Sequence, residues 1–250
     1  MEKTIEKENK IKIRMWIWYF FIFSIIGLVT ETIYCYVTTG VLESRQGLIW
    51  GPFCPIYGIG ATIFIVTLGR YKKHPIKLFI AGALLGAVVE YILSYAMEAV
   101  YGNRFWDYAY TQFHINGRIC ITYSIFWGIL AIVLIQWAQP WIDKGIGKIA
   151  PSIRTGIEVG ICIFLVIDAI ATVWAVQTYT MRAYKTYEQQ RQIENEERGE
   201  TATWMKPIEE MGEKLFPNEL MIRTFPNIRI YDENKNQMWA REVMQESELK

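Results

Sequence analysis

Four carboxylates lie inside long apolar runs of this sequence, where an ionised side chain costs the most free energy. They are Glu31, Glu90, Glu98 and Asp168. If these runs cross a bilayer, a carboxylate at the centre costs at least about 2.5 to 3.5 kcal/mol and needs a partner or a proton. Such groups are typical of sites for ions, protons or lipid head groups, and the alternative is that they only lock helices together.

Arg118 is the natural counter-charge for these acids. It opens an apolar run in the segment NGRICITYS, at the same expected level as Glu98 and the end of the first run. A pair between Arg118 and either Glu98 or Glu31 would offset the burial of both groups. We expect Glu90 to lie deeper than Glu98. Asp168 has no evident partner on its own helix, so it either reaches the interior or carries a proton.

One face of the segment that carries Glu90 is small and polar. At about 100° per residue, Ala83, Gly86, Glu90, Ser94 and Met97 fall on the same side of a helix. Small residues let helices approach closely in a membrane, so we expect this face to meet another helix rather than lipid.

The next loop, YGNRFWDYAYTQFHING from Tyr101 to Gly117, mixes aromatic and polar residues. Aromatic side chains at a membrane surface are most often interface anchors, which accounts for Trp106 and the neighbouring tyrosines. Asp107 does not fit that explanation and indicates a hydrogen-bonded turn over the mouth of a bundle. His114 alone has too few partners for a metal, and the four cysteines form no CxxC pair, so no metal or cofactor is predicted.

Long apolar segments must hold these side chains. The composition is 52% hydrophobic and only 20% charged, and a spanning helix needs roughly 20 mostly apolar residues. The predicted spans are Met15–Thr38, Pro55–Leu68 with an apolar approach from Trp50, Leu78–Val100, Ile119–Trp137 and Ile157–Gln177. The sequence therefore predicts an all-α, polytopic transmembrane helix bundle of about five spans with a polar C-terminal tail, whose partner is the lipid bilayer.

The approach to the second span is unusual. From Gly47 to Gly60 it reads GLIWGPFCPIYGIG, where two prolines and four glycines make a regular helix unfavourable before about Tyr57. Irregular backbone at membrane depth must be buried in protein or line a cavity. The alternatives here are a plain second span and a span preceded by a re-entrant or pocket-lining turn.

Basic residues are distributed unevenly around the spans. Twelve Lys and Arg lie before the first span and in the loops after the second and fourth, against three in the alternate loops. The positive-inside rule then predicts that the N-terminus lies in the cytoplasm and that the Trp106 loop lies outside. The membrane is predicted to be the plasma membrane. Five spans would put the C-terminal tail outside as well.

We predict three regions along the chain: a basic N-terminus over 1–14, the bundle over 15–179 and a polar, mostly helical tail over 180–250. The tail is expected to begin as a solvated charged helix and to contain a short strand near 227–231. About 50 residues make a marginal core alone, so the tail should pack on the bundle or on a partner.

Four motifs occur in a fixed order between residues 20 and 138. They are TETIYCYVTTG, R-x-G-x-x-x-GPFCPIYGIG, VVEYILSYAMEAVYGNRFWDY and FHINGRICITYSIFWG. This pattern resembles the CmpB-type ABC-transporter type IV family. The resemblance implies a compact bundle and adds Arg45, Tyr57 and Asn116 to the positions of interest, but it implies no substrate. The predicted substrate or ion pathway comprises Glu31, Arg45, Tyr57, Glu90, Glu98, Trp106, Asp107, Asn116 and Arg118.

The function favoured by these features is a permease-like component with a polar intramembrane site open to the outer side. No G-x-x-x-x-G-K-[ST] motif occurs, so an ATPase would have to be a separate partner subunit. A net charge of +1 gives no bulk attraction to nucleic acid. The alternatives are a membrane enzyme acting on lipid or a lipid-linked substrate, with Arg118 or Arg45 holding phosphate, and a non-catalytic scaffold or assembly partner.

Overall fold

The computed structural model describes residues 2–101, 107–192, 206–231 and 237–248. Its helices are α1 (Glu2–Thr39), α2 (Pro55–Leu68), α3 (Pro75–Tyr101), α4 (Ile121–Ile132), α5 (Gln139–Gly147), α6 (Pro151–Gln192), α7 (Lys206–Leu215), α8 (Asn218–Thr224) and α9 (Ala240–Glu248). Its strands form two antiparallel hairpins, β1 (His114–Ile115) with β2 (Ile119–Cys120) and β3 (Arg229–Tyr231) with β4 (Gln237–Trp239). A 3-10 turn at Gly69–Tyr71 follows α2, and a π-helix at Val133–Ala138 connects α4 to α5.

Four helical stretches in the described residues are long and apolar enough to cross a bilayer. They are Ile13–Thr39, Pro75–Ala96, Ile121–Gly147 and Pro151–Arg191. They overlap four of the five predicted spans, and the all-α fold of a membrane protein is confirmed. The remaining prediction corresponds to α2, whose 14 residues rise only about 21 Å, short of the roughly 30 Å of hydrocarbon. A fifth crossing therefore needs the segment before α2 to contribute to its length.

The segment between α1 and α2 is irregular, as its prolines and glycines predicted. The chain leaves α1 after Thr39 and turns back along it. The Cys54 N–H then donates to the carbonyl of Ser24, in the middle of α1, at 3.0 Å. The part of α1 between those two levels rises about 22 Å, which is how far residues 40–54, called the re-entrant segment below, return along α1. Helix α2 then begins at Pro55, slightly earlier than predicted, because the fixed φ and missing N–H of proline suit the first helical position.

The chain divides into two compact units, and each is described by itself. The first unit comprises Met1–Phe20 and Ile59–Gly156, and the second comprises Phe21–Gly58 and Ile157–Lys250. Helices α1, α2 and α6 each contribute residues to both units.

In the first unit α3 packs closely on α4. A Cβ atom added at Gly82 would overlap Ala131, and one added at Gly86 would overlap the Trp127 side chain. Gly82, Gly86 and Glu90 are all buried. The predicted small and polar face of α3 therefore meets a helix, and the glycines bring the α3 backbone near enough for Glu90 to reach Trp127.

The basic ends of the first unit lie together. The Arg14 guanidinium donates to Thr155 Oγ1 at 2.7 Å, next to Arg154 at the start of α6. The Gln136 amide, one turn before α5, donates to the Lys72 carbonyl in the loop after α2 at 3.0 Å. Three regions that the charge bias assigned to one side of the membrane thus share one end of this unit, and the β1–β2 hairpin lies at the opposite end of α4.

In the second unit the tail packs on α6. Tyr179 and Ala183 of α6 are fully buried in a core with Phe216 and Met221 of the tail and Ile49 of the re-entrant segment. The tail was predicted to pack on the bundle or on a partner, and the structure shows packing on α6. The strand predicted near 227–231 is present at Arg229–Tyr231. The helix after residue 180 was expected to be solvated, and this is wrong for the side of α6 that carries Ala183 and Tyr187. These side chains pack in or against the core of the tail.

Candidate functional site

A tight hairpin turn positions Arg118. Asn116 and Gly117 both have positive φ, 53° and 68°, and the Arg118 N–H donates to the Ile115 carbonyl at 2.9 Å. Two left-handed central residues closed by this hydrogen bond match a type I′ turn, for which Asn-Gly is the favoured pair. The turn ends at Arg118, directly before β2 and α4, and so fixes the backbone of this arginine at the end of the bundle helices.

Asp107 stabilises the same end of the unit. Its Oδ1 accepts a hydrogen bond from the Ala109 N–H at 2.8 Å, and the Tyr108 N–H donates to the Gly117 carbonyl at 2.7 Å. A Cβ atom at Gly117 would overlap the Asp107 carboxylate, so this position needs glycine for space as well as for its backbone angle. The hydrogen-bonded turn predicted at Asp107 is confirmed.

Arg118 lies against one face of α3. Its guanidinium forms an ion pair with Glu98, donates to Ser94 Oγ at 3.1 Å, and lies 5.4 Å from the centre of the Tyr95 ring. The arginine is 7% exposed, whereas the Glu98 side chain is 36% exposed. Of the two partners predicted for Arg118, Glu98 and Glu31, the structure shows the pair with Glu98. Only this acidic partner reaches the surface appreciably.

Glu90 lies two turns along α3 from Glu98 and is buried. Its two oxygens accept hydrogen bonds from the Tyr108 hydroxyl at 2.8 Å and the Trp127 indole N–H at 3.2 Å. Tyr108 also stacks on Tyr123 of α4, with ring centres 4.7 Å apart. The deeper position predicted for Glu90 agrees with its burial, and neutral donors hold its carboxylate.

We name the group Glu90, Ser94, Glu98, Tyr108 and Arg118 the Arg118 site. Three of its members lie on α3, Tyr108 lies in the loop before β1, and Arg118 lies at the end of the β1–β2 turn. Burial strips water from Arg118, so its attraction to a carboxylate is stronger than at a surface, and the removal of that partner would be correspondingly costly. The arrangement can bind an anionic group at the place that Glu98 occupies.

The structure places the other predicted pathway residues as follows. Asn116 donates to the Tyr91 hydroxyl at 3.0 Å, on the same face of α3 as Arg118. In the second unit, the Tyr57 hydroxyl donates to Glu31 at 2.6 Å, and Arg45 lies 3.9 Å from Glu43. Trp106 lies outside the described residues. Within those residues, no group of three His, Cys, Asp or Glu side chains could hold a metal.

The sequence reasoning missed the role of Asp168. This fully buried side chain accepts the Trp50 N–H at 3.1 Å, and Thr172, one turn along α6, accepts the Ile49 N–H at 2.9 Å. Two backbone donors of the re-entrant segment thus find acceptors on α6, as irregular backbone in a membrane requires. The sequence shows an acid within an apolar run and, far from it, a segment rich in glycine and proline. No sequence pattern links these two features.

A second polar group that the sequence reasoning missed lies at the basic end of the first unit. The Tyr19 hydroxyl donates to Asp143 at 2.6 Å and accepts from the Gln139 amide at 3.2 Å. These contacts join α1 to α5 directly after the π-helix. They hold helix ends in position at the end of the unit opposite the β1–β2 hairpin.

Tyr108→Phe tests the contact to Glu90. Burial raises the pKa of Tyr108, and the hydrogen bond to Glu90 raises it further. Its protonated form therefore stabilises the fold fully below about pH 10, the ordinary tyrosine value, and this stabilisation is lost as pH rises through the raised pKa. The variant should lose about 1.5 kcal/mol at neutral pH. Its unfolding free energy should also fall less steeply than that of the wild type above pH 10.

Denaturant titrations of the purified protein between pH 7 and 11 measure both effects. Tyr110→Phe is the matched control, because Tyr110 lies in the same loop and is 80% exposed. Equal alkaline losses for the wild type and Tyr108→Phe would show that the hydrogen bond to Glu90 contributes nothing to stability.

Comparison with known proteins gives one family. The model of the family described as Putative ABC-transporter type IV matches residues 18–173, which include the Arg118 site, the re-entrant segment and Asp168. Neither a curated protein nor a solved structure matches the chain.

Proposed function

Because this chain belongs to the ABC-transporter type IV family, we propose that it is a permease-like, multi-pass component of the plasma membrane with the Arg118 site on the path of its substrate. The observation that carries the proposal is the unequal exposure of the Arg118–Glu98 pair. A buried arginine is joined to a carboxylate that solvent reaches. An anionic group arriving from solvent can replace Glu98 without first exposing Arg118.

The orientation follows from the charge of the helix ends. The common end that gathers Arg14, Lys72 and Arg154 supports a cytoplasmic position for the N-terminus, since basic residues favour that side. The Arg118 site then opens toward the outer side. The shallow depth of Glu98 and the deeper burial of Glu90 give the site a direction, from the outer surface into the bundle.

Each residue of the Arg118 site has its own role in the proposed transport. Arg118 supplies the charge that attracts the substrate, and Glu98 competes with the substrate for it. The Tyr108 hydroxyl and the Trp127 N–H both donate to Glu90, which lies deeper in the unit than Glu98. The hydrogen bond to Glu90 in turn fixes the position of Tyr108. Glu31, Tyr57, Asp107 and Asn116 remain predicted members of the pathway, as does Trp106. A separate ATPase subunit would supply energy, because this chain has no Walker motif.

The test compares a strain that lacks the gene with the same strain carrying the wild type, Glu98→Gln or Glu90→Gln. Untargeted mass spectrometry of cells and medium measures how each compound partitions between them. We expect at least one anionic compound to change its partition with the wild type. Glu98→Gln should strengthen that change at low concentration, because it removes the competing carboxylate, and Glu90→Gln should weaken it.

Glu219→Gln is the matched control, because Glu219 is an exposed acid of α8. Partition that is independent of the gene, or unchanged by both site variants, would contradict the proposal. The appearance or loss of a chemical species, with no change in partition, would favour a membrane enzyme instead.

A further inference from the structure

The second unit contains an open cavity of about 290 Å³. Its walls come from two segments far apart in sequence, residues 44–46 after α1 and residues 224–228, which begin at the last residue of α8. The volume is near the lower end of the range for small-molecule pockets and suits one polar head group rather than a large ligand. The cavity exists only because the tail packs beside the loop that leaves α1.

Arg45 gives this cavity a positive charge that is incompletely neutralised. Its nearest acid, Glu43, lies 3.9 Å from Arg45 Nη2 but only 2.8 Å from the Arg241 guanidinium, which is therefore the stronger partner. The Arg45 Nε atom is buried and has no hydrogen-bond partner among the described residues. The Arg45 side chain as a whole is 25% exposed, so the accessible part of the guanidinium can pair with an anionic ligand in the cavity.

Polar side chains surround this arginine. The Ser44 hydroxyl and the Asn227 amide line the same cavity. Ser44 donates to the Gln46 side chain at 3.1 Å, and Gln46 in turn donates to the Gly51 carbonyl at 2.6 Å, so the loop that carries Arg45 is held in a defined shape. The Arg45 guanidinium and the Asn227 amide can then donate to an anion with several oxygen atoms, the chemistry of a phosphate.

Exposed apolar side chains near the cavity favour a lipid head group over free phosphate as the ligand. Val41 and Leu42 follow the last turn of α1 and are 53% and 72% exposed. Helix α1 contains a candidate membrane span that ends at Thr39, so these two side chains lie at the edge of the bilayer. Exposed aliphatic residues at this depth insert among lipid chains, while an arginine a few residues on stays at the level of the head groups.

We propose that this cavity binds the phosphate-bearing head group of an anionic phospholipid, with Arg45 as its counter-charge. Arginine binds phosphate oxygens through paired N–H donors, which lysine does not reproduce. The proposal is independent of the transport proposal and gives Arg45 a second role beside its predicted membership of the pathway. The bound lipid would join the tail to the end of α1 and so stabilise the second unit.

Thermal unfolding of the full-length protein, purified in detergent and freed of bound lipid, tests the proposal with three probes. They are dihexanoyl phosphatidylglycerol, dihexanoyl phosphatidylcholine and inorganic phosphate. At phosphatidylglycerol concentrations about 100-fold above the Kd, we expect the Tm of the wild type to rise by about 5 to 10 °C. The zwitterionic lipid and inorganic phosphate should each raise it by less than half as much.

Three variants assign the effect to the cavity. Arg45→Gln should lose most of the rise, Arg45→Lys should keep part of it, and Arg223→Gln, which changes an exposed arginine of α8, should keep all of it. A rise as large with inorganic phosphate as with phosphatidylglycerol would overturn the lipid as the source. An equal rise in Arg45→Gln and the wild type, or no rise in the wild type, would overturn the site. If Arg45→Gln does not fold, the proposal is tested by the Tm rise of Arg45→Lys and by the comparison of the three probes on the wild type.

Discussion

Arg118→Ala is expected to lower the free energy of unfolding by about 3 kcal/mol, the lower end of the range for breaking a buried ion pair. The variant removes the hydrogen bond to Ser94 and leaves Glu98 without its partner arginine. The expected loss is not larger because the Glu98 side chain is 36% exposed and water can solvate it. Denaturant titration of the purified protein in detergent measures the change.

Two further variants separate charge from geometry at Arg118. Arg118→Lys keeps the charge but loses the paired donors, so about half of the loss should remain. Arg70→Ala removes an exposed arginine from a loop of the same unit and should change the unfolding free energy by less than about 0.5 kcal/mol. Equal effects of Arg118→Ala and Arg70→Ala would mean that the Arg118–Glu98 pair does not stabilise the fold.

Asp168→Ala should destabilise the protein by about 2 to 3 kcal/mol. Asp168 is fully buried, and its removal leaves the Trp50 N–H without the acceptor that satisfies it. An unsatisfied donor in a buried site loses the full free energy of its hydration. The change should loosen the re-entrant segment first, so amide hydrogen exchange at residues 47–54 should rise more than exchange in α3.

Asp168→Asn is the matched variant, because it keeps a side-chain oxygen in nearly the same place. The Asp168 Oδ2 atom has no hydrogen-bond partner among the described residues, so the loss of its charge should cost little. We expect less than about 1 kcal/mol and normal exchange at residues 47–54. A loss in Asp168→Asn as large as in Asp168→Ala would show that the charge of Asp168, and not its hydrogen bond to the Trp50 N–H alone, stabilises the fold.

The Arg118–Glu98 pair could be predicted because both partners are side chains. The helical period placed Glu98 near the end of its span, and the motif placed Arg118 at the start of the next. Consecutive spans run in opposite directions, so those two ends lie on the same side. Burial then demanded a pairing of opposite charges. The same reasoning could not choose between Glu98 and Glu31, because the period of one helix does not give its rotation relative to another.

Asp168 could not be interpreted from sequence for a different reason. Its partner is the backbone N–H of Trp50, a group that every residue except proline carries, at a separation of 118 positions. The tail shows a related limit. Its composition predicted polarity, but it did not predict that Tyr179 and Ala183 would form the face on which the tail packs. Both features depend on tertiary packing, which no local pattern encodes.

The acceptors on α6 also impose an order of events on biosynthesis. Ile49 and Trp50 reach the ribosome exit 123 and 118 residues before the acceptors that satisfy them. At a synthesis rate of about 5 to 20 residues per second, this gap lasts about 6 to 24 s. During that time the re-entrant segment cannot face lipid, because its donors would be unsatisfied. We therefore expect residues 47–54 to stay in water or in contact with the insertion machinery until α6 has been made.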